Sequence, residues 1–87
     1  MNSYRLIVST PDGSLFDGEA EALILRAADG DLAVLAGHAP LITAVRPGVC
    51  RLLLPDGSEK TGECDGGILT VAKDATTLLS SSFRFND

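Results

Sequence analysis

From Tyr4 to Thr10 the chain alternates, with Tyr4, Leu6 and Val8 on one face and Arg5, Ile7 and Ser9 on the other. A period of two predicts a β-strand. Pro11-Asp12-Gly13-Ser14 has the composition of a tight turn, with proline where its fixed φ suits the second position. Leu15-Phe16 resumes the apolar pattern, and Asp17-Gly18 interrupts it in the manner of a β-bulge. Glu19 to Arg26 reads in two ways. Glu, Ala and Leu are good helix formers. However, Ala20, Ala22, Ile24 and Arg26 alternate with Glu19, Glu21, Leu23 and Leu25, and glycine-containing turns flank the run. We read it as a strand and leave a helix as the alternative.

The same punctuation continues. Ala28-Asp29-Gly30-Asp31 is a turn. Leu32 to Leu35 and Leu41 to Val45 are short strands on either side of a corner, Gly37-His38-Ala39-Pro40, and Arg46-Pro47-Gly48 turns the chain again. Val49 to Leu54 and Glu59 to Cys64 flank Pro55-Asp56-Gly57-Ser58 as a hairpin. Asp65-Gly66-Gly67 precedes Ile68 to Val71, and Lys73-Asp74 precedes Thr76 to Leu79. Short strands spaced by Gly, Pro and Asp turns predict an all-β fold, a β-sandwich of about 8–10 short antiparallel strands. The expected organisation is one domain over residues 1–87. Its core lies within about residues 4–79, and 80–87 is an end segment that is polar apart from Phe83 and Phe85.

Composition narrows the function. The 87 residues are 45% hydrophobic, and the formal net charge is −5. A chain of this size buries about 60–65% of its unfolded surface, enough for one small core. An acidic chain repels phosphate backbones, which argues against nucleic acid as a partner. No apolar run approaches the roughly 20 residues of a membrane span, so direct membrane insertion is not expected. The first apolar run, Leu6-Ile7-Val8, is too short for a signal peptide, and a cytosolic chain fits best. Cys50 and Cys64 are the only cysteines. They read as small buried hydrophobes, with a disulfide between them left open.

No catalytic constellation emerges. His38 is the single histidine and the one general-base candidate near neutral pH, while Ser80, Ser81 and Ser82 lie far from it in sequence. Gly66-Gly67 leads into a strand rather than a helix, so it offers no phosphate-binding N-terminus. Two cysteines and one histidine without close spacing make no zinc site. No catalytic, cofactor-binding or metal residue is expected, and the default role of such a domain is to bind another protein.

The motifs add a separate line of argument. Phe16 with Gly18, the turn Asp29-Gly30-Asp31 followed by Val34-Leu35, the block Gly37-His38-Ala39-Pro40-Leu41 with Thr43-Ala44 and Pro47-Gly48, and Gly66-Gly67-Ile68-Leu69 with Val71 occur in order and without gaps. Together they resemble the N-terminal β-sandwich domain of the epsilon subunit of F-type ATP synthases, called delta in mitochondria. The departures are Ala33 for a usual glycine, Ala36 for a usual proline, Asp65 for a serine, and Ser80-Ser81-Ser82 for an Ala-acidic pair. The chain also ends at Asp87, where bacterial epsilon subunits continue into a C-terminal helical hairpin. The resemblance therefore covers the sandwich alone and implies nothing about an inhibitory arm or a nucleotide site that depends on one.

By that resemblance the domain is a non-catalytic rotor component. It binds the gamma subunit and rests on the membrane c-ring, peripheral on the cytoplasmic side of the membrane, and couples ion translocation to ATP synthesis. Thr10, His38 and Thr43 match gamma-facing positions. Asp29, Gly30 and Asp31 match the loop that faces the c-ring. Gly37, Pro40, Pro47, Gly48, Gly66 and Gly67 are expected to make corners. The alternatives are a free-standing adaptor or regulatory domain that uses the same fold outside the synthase, and a small enzyme built around His38.

Overall fold

The structure is a computed structural model and describes residues 2–86. Ten strands follow one another: β1 (Tyr4–Thr10), β2 (Gly13–Ala20), β3 (Ala22–Ala27), β4 (Gly30–Leu35), β5 (Leu41–Val45), β6 (Gly48–Leu53), β7 (Glu59–Cys64), β8 (Gly67–Val71), β9 (Thr76–Ser80) and β10 (Phe83–Phe85). There is no helix among the described residues. The sheet runs β10-β7-β6-β3-β5-β8-β9-β1-β2, with β4 paired to β3. It curls into two layers because β3 joins them. Ala22 to Ile24 pair with β6, while Ala27 alone pairs with Val45 of β5. Arg46 N donating to Arg26 O at 2.8 Å continues that junction. One layer is β10-β7-β6-β3-β4 and the other β5-β8-β9-β1-β2.

The core forms where the layers face each other. Leu6, Val8, Val45, Leu69, Val71 and Leu78 meet Leu23, Leu25, Val34, Cys50, Leu52 and Phe83, all buried. Two features close the curl. Tyr4 Oη on β1 donates to Val34 O on β4 at 2.7 Å. The sheet's two ends meet through Phe16 of β2 and Phe85 of β10, edge to face with ring centroids 6.4 Å apart, and Phe85 meets Phe83 in the same edge-to-face way at 4.9 Å.

Four sequence expectations are corrected. Glu19 to Arg26 is not one strand. It breaks at Glu21, where Ala20 and Ala22 are both buried and burial then passes to Leu23, Leu25 and Ala27. Glu21 N donates to Leu53 O at 2.7 Å, so the corner is pinned to β6. The bulge is not at Asp17-Gly18, which pair in register with Ile7 and Leu6. It is at Leu15, the residue left over between the pairs Val8–Phe16 and Ser9–Ser14. The strands are not all antiparallel, since β1 and β9 pair parallel from Leu6–Thr76 to Ser9–Leu79. The packing also continues past Leu79. Ser80 is buried, and Phe83–Phe85 add β10 to the edge of β7. A three-residue strand carries too few positions to show a period, but its aromatic side chains bury enough surface to fix it.

Candidate functional site

The acidic turn is the tip of the β3–β4 hairpin. Arg26–Asp31 and Ala27–Gly30 are paired, so Ala28 and Asp29 form the turn itself. Asp29, Gly30 and Asp31 are all exposed. Asp31 lies 3.8 Å from Arg26 Nε in a solvent-exposed ion pair. The Arg26 stem crosses Gly48, where an added Cβ would sit 3.0 Å from Arg26 Cδ. Two strands and the Pro47 corner thus hold a negative tip away from the core.

The Gly37-His38-Ala39-Pro40 corner connects β4 to β5. Gly37 has φ +85°, a left-handed conformation that glycine adopts without strain. His38 N donates to Leu35 O at 3.1 Å. His38 Nδ1 sits 2.6 Å from Ala39 O, and because a carbonyl only accepts, Nδ1 carries the proton and Nε2 is left available to a partner. The half-buried ring lines a cavity of about 370 Å³ with Tyr4, Leu35, Pro40, Val71 and Lys73. No carboxylate, serine or cysteine lines that cavity.

Thr43 pairs with Leu69, is half-buried, and donates from Oγ1 to Ala44 O at 3.2 Å. Thr10 pairs with Gly13 at the end of β1, and its Oγ1 accepts from Asp12 N at 3.3 Å. Following the register, His38 lies at the Leu41–Val71–Thr76 end of the β5–β8–β9–β1 layer, and Thr10 lies at the opposite end. The three positions are therefore spread along one layer rather than gathered into a pocket. Among the corner residues, Gly66 has φ +89° and packs against Pro47.

The outer surface of that layer was missed in the sequence. Ile42 and Ala44 on β5, Ile68 and Thr70 on β8, Thr77 and Leu79 on β9, and Ile7 and Ser9 on β1 are neighbours by register. None is charged. Ile42 is 74% exposed, Ile68 52% and Leu79 53%. The outer surface of the other layer is different. It carries the ion pairs Arg51–Glu59 at 3.0 Å, Arg84–Glu63 at 3.7 Å and Arg26–Asp31. The signal that would have found the apolar face is the β5 run Leu41-Ile42-Thr43-Ala44-Val45, which has no charge on either side of the strand. Among the described residues no group of three or more His, Cys, Asp or Glu can hold a metal ion. No helix of the described residues is long and apolar enough to cross a membrane.

A small sandwich with one outer face laced by ion pairs and another that is apolar across β5, β8 and β9 has the surface of a domain that docks another protein. The sequence places it within that class of docking domains. The chain belongs to the family of the ATP synthase delta/epsilon chain β-sandwich domain, whose profile matches residues 3–85. It is 35% identical over 82 residues to an ATP synthase epsilon chain of Chromohalobacter salexigens, covering 94% of this chain and 58% of that one. It is 38% identical over 82 residues to an ATP synthase epsilon chain of Delftia acidovorans, covering 94% of this chain and 59% of that one. The chain thus spans about three-fifths of the length of these relatives. Among solved structures, a chain of the Euglena gracilis mitochondrial ATP synthase, in an assembly of OSCP, F1 and c-ring, superposes with a TM-score of 0.89 at 19% identity over 95% of this chain and 53% of its own. A chain from the central stalk and c-ring of the Tetrahymena thermophila mitochondrial enzyme superposes with a TM-score of 0.75 at 14% identity over 94% of this chain and 66% of its own. At those identities the likeness is one of fold.

Proposed function

We propose that this sandwich is a rotor component of an F-type ATP synthase. In this reading the β5–β8–β9–β1 face docks the gamma subunit and the β3–β4 hairpin tip meets the polar loops of the c-ring. The domain performs no chemistry. It turns with the stalk and transmits torque between ion translocation in the membrane and the catalytic head. The observation that carries the reading is the apolar outer face of β5, β8 and β9 on a fold shared with chains of ATP synthase assemblies. A stable interface buries roughly 800 Å² on each partner, and a sheet face in a molecule of 31 × 28 × 22 Å is large enough to supply it. His38 lies at one end of that face with Nε2 available to a partner, whereas Thr10 and Thr43 belong to its strands but alternate onto the core-facing side, Thr43 pairing with buried Leu69. The exposed carboxylates of Asp29 and Asp31 suit basic or hydrogen-bonding loops on the membrane side, with a salt-sensitive contribution.

The test is a titration of this domain with the gamma subunit from the same source, by calorimetry or by co-elution. A one-to-one complex at micromolar or tighter affinity, weakened by His38→Ala in a domain that remains folded, is the expected result. A folded domain with no affinity for gamma would overturn the rotor reading and favour an adaptor that uses this fold elsewhere.

A further inference from the structure

Of the chain's seven lysines and arginines, four are held by carboxylates: Arg5 by Asp17, Arg26 by Asp31, Arg51 by Glu59 and Arg84 by Glu63. Lys60 lies over the Phe85 ring at 4.9 Å. Among the described residues, Arg46 and Lys73 have neither kind of partner. Arg46 is exposed at the corner between β5 and β6. Lys73 stands in the turn between β8 and β9, which Ala72 N closes by donating to Ala75 O at 3.1 Å. There it lines the cavity of about 370 Å³ at His38, together with Leu35, Pro40 and Val71. A second depression, of about 610 Å³, adjoins the first. It shares Pro40, Val71 and Lys73 with the cavity and continues to Ile42 and Thr70 of the apolar face. Asp74, the carboxylate next to Lys73 in the chain, lines neither.

We propose, resting on the rotor reading, that this cavity receives an acidic segment of the gamma subunit: an Asp or Glu whose carboxylate pairs with Lys73, beside a large apolar side chain that fills the space against Leu35, Pro40 and Val71. Three observations choose that occupant. The first is continuity. The second depression joins the apolar face to the cavity, so a partner lying over Ile42 and Thr70 reaches Lys73 without crossing another surface. The second is charge. A chain of net charge −5 repels an acidic partner over most of its surface, but here a cation lines a cavity that no carboxylate lines. Lys73 has no pair to break before it takes a new one. The third is shape. A concave site with apolar walls and a few polar groups, at the low end of the roughly 300–1,000 Å³ range of ligand pockets, suits one anchoring side chain.

The polar groups of the cavity ask for different things, and that orients the segment. His38 Nδ1 gives its proton to Ala39 O, so Nε2 accepts a hydrogen bond and has none to give to a carboxylate. The lysine ammonium only donates. The carboxylate therefore goes to Lys73, and an N–H or O–H of the same segment goes to His38 Nε2. The cavity also lies at the far end of β4 from the Asp29–Asp31 tip. The strand runs from Gly30 at the tip to Leu35 in the cavity wall, about 15–20 Å at the usual rise per residue. The two ends of the domain thus select partner surfaces of opposite sign, basic at the tip and acidic at the cavity. Complementarity of that kind sets register and orientation more than raw affinity.

The test treats the complex of the full chain and the gamma subunit from the same source with a water-soluble carbodiimide, which joins an amine to a carboxylate in contact with it. Linked peptides are then mapped by mass spectrometry. Wild type should yield a peptide that joins Lys73 to an Asp or Glu of gamma. Lys73→Arg should keep most of the affinity, since it keeps the charge, and lose that link. Calorimetric titration gives a second readout. Lys73 and Leu35 are both exposed, so Lys73→Glu and Leu35→Asp should leave the melting temperature nearly unchanged. Each should weaken gamma binding about tenfold or more at low salt, with the loss shrinking as salt rises. Lys60→Glu makes the same change in net charge on the other layer and should stay within about twofold of wild type. A gamma complex in which Lys73 is unlinked or links only within its own chain, or in which Lys73→Glu and Lys60→Glu weaken binding equally, would overturn the proposal and leave the rotor reading standing. A Lys73 link between two copies of this chain would make a second copy the occupant and overturn it as well. No gamma binding by the folded wild type would remove both readings. The wild-type linkage stands even if a variant fails to fold.

Discussion

Two single residues show how little room the sandwich leaves. Gly67 begins β8 with φ +158°, and a Cβ there would overlap the carbonyl oxygen of Leu79. The overlap is with backbone, which cannot rotate aside, so Gly67→Ala should cost about 2 kcal/mol or more by chemical denaturation. A loss under about 0.5 kcal/mol, the ordinary surface range, would contradict this packing of β8 against β9. Tyr4 is the second case. Its hydroxyl ties β1 to β4 through Val34 O, and Tyr4→Phe should cost about 1 kcal/mol. Burial raises its pKa from 10.0 to about 12. The folded state therefore disfavours the phenolate. The stabilising contribution is complete below pH 10, where the unfolded chain keeps its proton, and is lost as the pH rises from 10 to about 12. Melting curves across that window should fall more steeply for wild type than for Tyr4→Phe. Parallel curves would show that Tyr4 ionises equally in both states.

At the scale of elements, the β3–β4 hairpin gives a prediction that separates stability from binding. The Asp31–Arg26 pair is exposed on both sides, so its loss is worth about 0–1 kcal/mol to the fold. Asp31→Lys should leave the melting temperature nearly unchanged while weakening association with detergent-solubilised c-ring. The difference from wild type should shrink as salt rises, because exposed charges are screened within about 8–10 Å. A loss of affinity that is independent of salt would assign the hairpin tip a role other than charge. The hairpin was legible in the sequence because Asp29 and Gly30 punctuate two apolar runs. So were Leu41–Val45 and Glu59–Cys64, each of which is bounded by Gly or Pro turns and matches β5 and β7 end to end. What local pattern could not carry was pairing and phase. Ala20 and Ala22 are small enough to be buried on both sides of the Glu21 corner, so alternation ran through the break. The Leu15 bulge and the parallel β1–β9 ladder depend on partners distant in the chain. The outer face was hidden because Ile42, Ala44 and Ile68 are as apolar as the core residues beside them, and only the sheet order decides which side of a strand faces water.

For the whole molecule, the decisive property is the contrast between its two outer faces, and it can be tested by a matched pair of substitutions. Ile42 on the apolar face is 74% exposed and Val49 on the face of β6 and β7, among the Arg51–Glu59 and Arg84–Glu63 pairs, is 53% exposed. Neither supports the core, so Ile42→Lys and Val49→Lys should each change stability by less than about 0.5 kcal/mol. They differ in what surrounds them. A lysine at 42 would stand among Ala44, Ile68 and Thr70, and docking there would strip its water without supplying a counter-charge. A lysine at 49 lies across from Glu63 and stays solvated. If gamma docks on the β5–β8–β9–β1 face, Ile42→Lys should weaken gamma binding at least about tenfold, equivalent to about 1.4 kcal/mol, and Val49→Lys should leave it unchanged. Equal effects of the two variants would mean that lysine acts only through net charge. The reverse ranking would move the interface to the β6–β7 face, where Arg51, Glu59, Glu63 and Arg84 would then have to exchange their mutual pairs for pairs with a partner.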